Sequence, residues 1–177
     1  HMDDFLEIYM NNFLNNKEDR WKIITKAIED YKKPIITLNL NIKGMHKDKA
    51  EFEPIYKAAK MFLSNYNLIY EDEDNYSAIY LAKNDGAHEK KKFVNLEEEY
   101  DFMRFVDIDV IDTSLKPISR SDLGLHKRSC IVCGGDRFIC MREDRHSQED
   151  FNARLDKTLL NLDTVSYTHL TLPTNRE

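Results

Sequence analysis

Residues 105–111 read Phe-Val-Asp-Ile-Asp-Val-Ile, and the alternation of that stretch decides the fold class. Side chains two apart on a strand share a face, so Asp107 and Asp109 fall on one side and Val106, Ile108 and Val110 on the other. This is the pattern of a half-buried strand. Working outward, Ile35 to Ile42 follows Pro34 as a second strand, and Ser77 to Ala82 reads as a third. Apolar residues recur at helical spacing from Asp3 to Tyr31 (Phe5, Ile8, Tyr9, Phe13, Trp21, Ile24, Ala27, Ile28, Tyr31), with a break near Asn15-Asn16. A second amphipathic helix spans Lys49 to Tyr66, and a short acidic one spans Asn95 to Asp101 with Asn95 as its cap. Gly44, Asp74-Asn75 and Asn84-Asp85-Gly86 are turn signals. Ser147 and Asp150 form a capping box that opens a last helix, Ser147 to Leu160. Helices and strands mix without a βαβ rhythm. The expected fold is α+β, a single domain with a largely antiparallel sheet, flanking helices and a Cys/His-rich knuckle near the C-terminus.

The chain has 177 residues, 41% of them hydrophobic and 33% charged, which suits one soluble domain with its own core. No apolar run is long enough to span a bilayer and no signal pattern opens the chain, so no membrane is expected and the cytoplasm is the expected compartment. With 26 Lys and Arg against 32 Asp and Glu, the net charge of -6 argues against nucleic-acid binding. His1-Met2 reads as the scar of tag removal, and residues 163–177, polar and rich in Thr, as a non-native or flexible tail. That leaves 3–162 as the domain.

Two clusters carry chemistry. Asp107 and Asp109 can hold a magnesium ion against a ligand's phosphates, because that ion takes one or two carboxylates and completes its shell with water and phosphate. An Asp-x-Asp on its own reads more readily as the solvated face of an edge strand. Its neighbourhood is basic, however: Lys116, Arg120, Lys127, Arg128, Arg137, Arg142 and Arg145 outnumber Asp122, Asp136, Glu143 and Asp144. A metal seat beside cations is what a polyphosphate substrate requires. The second cluster is Cys130-Ile131-Val132-Cys133, a C-x-x-C knuckle with Gly134-Gly135 after it, which Cys140 and His146 complete as a Cys3His set. Four protein ligands would make zinc structural. Buried thiols and a redox pair are the competing readings.

The strings TLNLNIKGMHK (37–47), RFVDIDVID (104–112), ISRSDLGLHKRSCIVC (118–133) and CMREDRH (140–146) together resemble the apo-citrate lyase phosphoribosyl-dephospho-CoA transferases. These are the holo-acyl-carrier-protein synthases of citrate lyase. The resemblance covers about Asp19 to Leu160. Asn41, Ile42, Gly44 and Lys47 stand for the family's strand-end turn, with Lys43 where proline is usual. Met103-Arg104 replaces a Gly-Arg, and His126 replaces a proline after the Arg120, Asp122, Leu123, Gly124, Leu125 pattern. Arg128, Cys130, Cys133, Cys140, Arg142, Arg145 and His146 form the cysteine-rich close.

The resemblance implies a nucleotidyltransferase domain that moves phosphoribosyl-dephospho-CoA from triphosphoribosyl-dephospho-CoA to a serine of the citrate lyase acyl carrier protein, releasing pyrophosphate. On that reading Asp107 and Asp109 hold magnesium and Asp122 or water takes the serine proton. Asn41, Lys47, Arg104, Arg120, Arg128, Arg142 and Arg145 bind substrate, while the zinc is structural. A related metal-dependent nucleotidyltransferase with another acceptor, or a non-enzymatic zinc-containing interaction module, would use the same residues differently.

Overall fold

The computed structural model describes residues 17–42 and 49–170, with side chains to Leu162. Helix α1 (Lys17–Tyr31) leads into β1 (Ile35–Leu40). A 3-10 turn (Lys49–Phe52) then opens α2 (Glu53–Met61). Strands β2 (Asn67–Asp72) and β3 (Ser77–Leu81) form a hairpin. Helix α3 (Gly86–Glu99), a 3-10 turn (Asp101–Phe105) and β4 (Val106–Ile111) follow. The chain closes through α4 (Arg137–Arg142) and α5 (Gln148–Leu170). The sheet runs β2-β3-β1-β4 with every pairing antiparallel. No helix of the described residues is long and apolar enough to cross a membrane.

The sheet separates two apolar layers. On one face Ile23, Ile24, Ala27 and Ile28 of α1 pack on Ile35, Ile79, Leu81 and Ile111. On the other, Ile36, Leu38, Val106 and Val110 meet Phe52, Ile55, Phe93, Phe105 and Leu155 from the remaining helices and turns. Each of the larger side chains among these contributes about 1.5–3 kcal/mol on burial. Register follows from this: Thr37 opposes Asp109 and Asn39 opposes Asp107, so the acidic pair lies on the α1 face, beyond the end of its apolar contacts.

Several expectations need correction. Asn95 caps nothing: it is exposed in the interior of α3. The helix starts nine residues earlier, at Gly86, capped by Asp85, whose carboxylate accepts from the His88 N–H at 2.9 Å. Asp serves caps as readily as turns, so Asn84-Asp85-Gly86 suits either. The helix expected over 49–66 is 3-10 at its start and ends at Met61. The closing helix continues past Leu160 to Leu170, with its capping box intact: the Ser147 N–H donates to Asp150 at 2.9 Å and the Asp150 N–H to Ser147 Oγ at 3.2 Å. Edge strand β2 carries no clear alternation, since only Tyr70 in it is buried. The break at Asn15-Asn16 and the Gly44 turn lie outside the described residues.

Glu89, fully buried on α3, accepts from Tyr66 Oη at 2.8 Å and from the Lys83 N–H at 2.8 Å. It ties the end of β3 to the helix. Glu89→Ala is expected to cost about 3 kcal/mol by stranding both donors, read as a lower urea midpoint, with Glu89→Gln costing less.

Candidate active site

Edge strand β4 presents Asp107 and Asp109 toward the amino end of α1, where Arg20 and Trp21 stand over the sheet. Between them is a cleft of about 360 Å³ that includes Asn39, Ser77, Asp109 and Pro117 in its walls. Arg20 donates to Asn39 Oδ1 at 2.8 Å and to Ser77 Oγ at 3.2 Å, and Ser77 Oγ donates to Asn39 Oδ1 at 2.7 Å. These bonds tie α1 to the two central strands at the cleft floor. Arg20, Trp21 and Ser77 have no motif to mark them, because only the pairing of β3 with β1 brings Ser77 beside Asn39.

The two aspartates are in different electrostatic situations. Asp107 Oδ1 accepts from Arg128 at 2.6 Å. Asp109 makes no hydrogen bond or ion pair among the described residues, and its side chain reaches solvent. Even so, the protein packed around it withholds water, and this raises its carboxyl above the ordinary value; Lys90 opposes the rise and Asp107 adds to it. An open carboxylate beside a second acid is a site that a cation would relieve.

Arg128 organises this end of the sheet. After β4 the chain bridges back at Pro117, turns through Ser121–Leu123 with Gly124 at φ 67°, and returns Arg120 and Arg128 against α3. The Arg128 guanidinium donates to the carbonyls of Val106 (2.7 Å), Arg104 (3.2 Å) and Met103 (3.3 Å) and pairs through Nε with Glu97. Glu97 also pairs with Arg120 at 2.8 Å. Arg128→Ala would leave Glu97 and Asp107 without their shared cation and three carbonyls without a donor. The expected loss is about 3–5 kcal/mol, measured by urea denaturation, with Arg128→Lys intermediate because it keeps charge and loses the fork.

The remaining residues singled out in the sequence are dispersed. Asp122 accepts from the Ser119 N–H at 2.9 Å, and that bond, with the Ser119 hydroxyl, holds its carboxyl below the ordinary range. Its contacts are within its own turn and not with Asp107 or Asp109. Asn41 continues the ladder past β1, its N–H donating to the Phe105 carbonyl at 2.7 Å. Arg104 donates to the Ser129 carbonyl at 2.6 Å, while burial and the nearby Arg128 lower its guanidinium's pKa. Arg145 pairs with Glu143 at 2.5 Å, and Arg142 is exposed without an ion pair among the described residues. Lys47 lies outside the described residues.

Cys130, Cys133, Cys140 and His146 do come together, their candidate ligand atoms all within 4.8 Å of one another. Gly134, at φ 76°, gives the knuckle its turn, and the Cys130 N–H donates to the Gly135 carbonyl at 2.8 Å. The sulfurs of Cys133 and Cys140 are 3.5 Å apart. The Gly135 N–H, with Cys140 and His146 beside it, draws the Cys133 thiol down to about 7. Burial pushes Cys140 up to about 11. His146 Nε2 is buried without a hydrogen-bond partner. Tetrahedral zinc with bonds of about 2.3 Å sets its sulfurs about 3.8 Å apart, so this Cys3His group can bind a metal such as zinc.

Known proteins resemble this chain over most of its length. A family model described as apo-citrate lyase phosphoribosyl-dephospho-CoA transferase matches residues 8–162. A Vibrio cholerae protein named probable apo-citrate lyase phosphoribosyl-dephospho-CoA transferase is 24% identical over 163 residues, 86% of this chain and 92% of its own length. A Streptococcus pyogenes protein of the same name is 24% identical over 164 residues, 86% of this chain and 85% of its own. Protein CitXG of Haemophilus influenzae is 24% identical over 91% of this chain but only 37% of its own length. The family match extends through the whole sheet, the aspartate pair and the Cys3His knuckle, and the chain belongs to the apo-citrate lyase phosphoribosyl-dephospho-CoA transferase family.

Proposed function

We propose that this chain transfers phosphoribosyl-dephospho-CoA from triphosphoribosyl-dephospho-CoA to a serine of the citrate lyase acyl carrier protein. The serine oxygen forms a bond to the α-phosphorus, the bond from that phosphorus to the pyrophosphate oxygen breaks, and the serine proton passes to solvent. The observation that carries the reading is the asymmetric aspartate pair, one carboxylate held by Arg128 and the other open at the cleft. A magnesium ion held by Asp109 and the free oxygen of Asp107 would supply positive charge to the phosphate oxygens. Arg128 fixes Asp107 in place and, with Arg120, keeps positive charge beside the leaving pyrophosphate. Asp122, committed to Ser119 and held below the ordinary carboxylate range, is a poor proton acceptor, so we assign it to positioning the turn that carries Arg120.

We assign structural zinc to Cys130, Cys133, Cys140 and His146, since a four-ligand set leaves no position for water. Three unpaired thiols accord with a reaction in the reducing cytoplasm. The test is intact-mass analysis of the apo carrier protein after incubation with the chain, magnesium and triphosphoribosyl-dephospho-CoA. A magnesium-dependent gain of one phosphoribosyl-dephospho-CoA group is expected. No gain on a carrier that another transferase can load would overturn the proposal.

A further inference from the structure

A second cavity, of about 340 Å³, lies on the other side of Arg128, between the start of β4 and the Cys/His knuckle. That volume is in the range of ligand pockets. Arg104, Arg128 and Arg137 line it against a single acid, Asp144, and Ile131, Met141 and Phe151 supply an apolar wall. Its cations are not all consumed by the fold. Arg137 makes no hydrogen bond or ion pair among the described residues, and Arg104 Nε is buried without a hydrogen-bond partner. Cations beside apolar and aromatic side chains suit an anion that carries a flat ring.

Building on the proposed transfer, we propose that this cavity binds the dephospho-CoA half of the transferred group, its diphosphate at Arg104 and Arg137 and its adenine at Phe151 and Met141. The triphosphate end then lies across Arg128, at the aspartates. Charge separates the two sites. In the α1 cleft the cation Arg20 is committed to Asn39 and Ser77 and Asp109 adds negative charge, so phosphate enters there with a divalent cation. The second cavity holds three arginines and takes a diphosphate without one. Arg128 belongs to both, lining the cavity and bonding Asp107 at 2.6 Å.

Calorimetric titration of the full chain with dephospho-CoA, and separately with inorganic triphosphate, tests this. Dephospho-CoA should bind without magnesium, about tenfold or more weaker in both Arg137→Ala and Met141→Trp, and unchanged in Asp109→Asn. Met141 is 67% exposed at the cavity mouth, so its replacement fills the entrance and spares the core. Inorganic triphosphate should need magnesium, fail with Asp109→Asn, and bind alongside dephospho-CoA. In transfer assays Arg137→Ala should raise KM for triphosphoribosyl-dephospho-CoA more than it lowers kcat. Dephospho-CoA binding that is absent, indifferent to both cavity variants, or displaced by inorganic triphosphate overturns the inference. Transfer to the carrier without such binding would sink the cavity assignment alone, and binding without transfer would sink the proposed reaction while keeping the cavity.

Discussion

Asp109→Asn is expected to lower the rate of carrier loading by at least about a hundredfold without making the protein less stable. The substitution removes the carboxylate with no partner among the described residues, so no bond of the fold is lost. Ionised Asp109 is disfavoured by its surroundings, which raise its carboxyl above the ordinary value. An acid whose folded value is raised weakens the fold at pH above that value, where it is charged, and a neutral amide relieves the cost. Thermal unfolding near neutral pH should therefore give a Tm equal to or above that of the native chain. Asp107→Asn should behave differently, losing both activity and some stability, because it strips Arg128 of a partner at 2.6 Å. Equal transfer rates for Asp109→Asn and the native chain would remove the metal seat from β4.

The largest expected effect on stability follows removal of the metal proposed for the knuckle. Residues 130–146 contain only a six-residue helix, α4, too short to persist without tertiary support. Phe138 and Met141 of that helix are 60% and 67% exposed, so apolar burial holds it weakly. Bonds to Cys130, Cys133, Cys140 and His146 would then supply much of its folding free energy. Cys140→Ser, or treatment with a strong chelator, is expected to lower Tm by about 10 °C, and the chelator should add nothing to the variant. Elemental analysis should find one zinc per native chain. A zinc-free protein with unaltered Tm in Cys140→Ser would mean that the thiols are simply packed.

Some of this organisation is legible in the chain itself, where local patterns suffice. The alternation of residues 105–111 identifies β4 and puts both aspartates on one face, and Ser147 with Asp150 marks the start of α5. C-x-x-C spacing followed by glycines announces the knuckle, because its turn is made within a few residues. Weaker local signals mislead. Asn95 has the chemistry of a cap, but α3 continues through it since Phe93 and Val94 are buried against the core. Strand β2 escapes notice because an edge strand with one buried residue needs no alternation, and Glu89 gives no sign that its carboxylate is buried.

The α+β class, the acidic pair and the four metal-binding candidates are readable from the chain, since they rest on local periodicity, on two aspartates two positions apart, and on side chains gathered between Cys130 and His146. Long-range packing sets the rest: Arg128 engages Asp107 and leaves Asp109 open, and Arg20 and Ser77 build the floor beside it. It also separates Asp122 from the pair and places a basic, partly apolar cavity across Arg128. Those outcomes depend on antiparallel register and on the return of the chain after Pro117, contacts between residues 19 to 57 positions apart that no local pattern encodes.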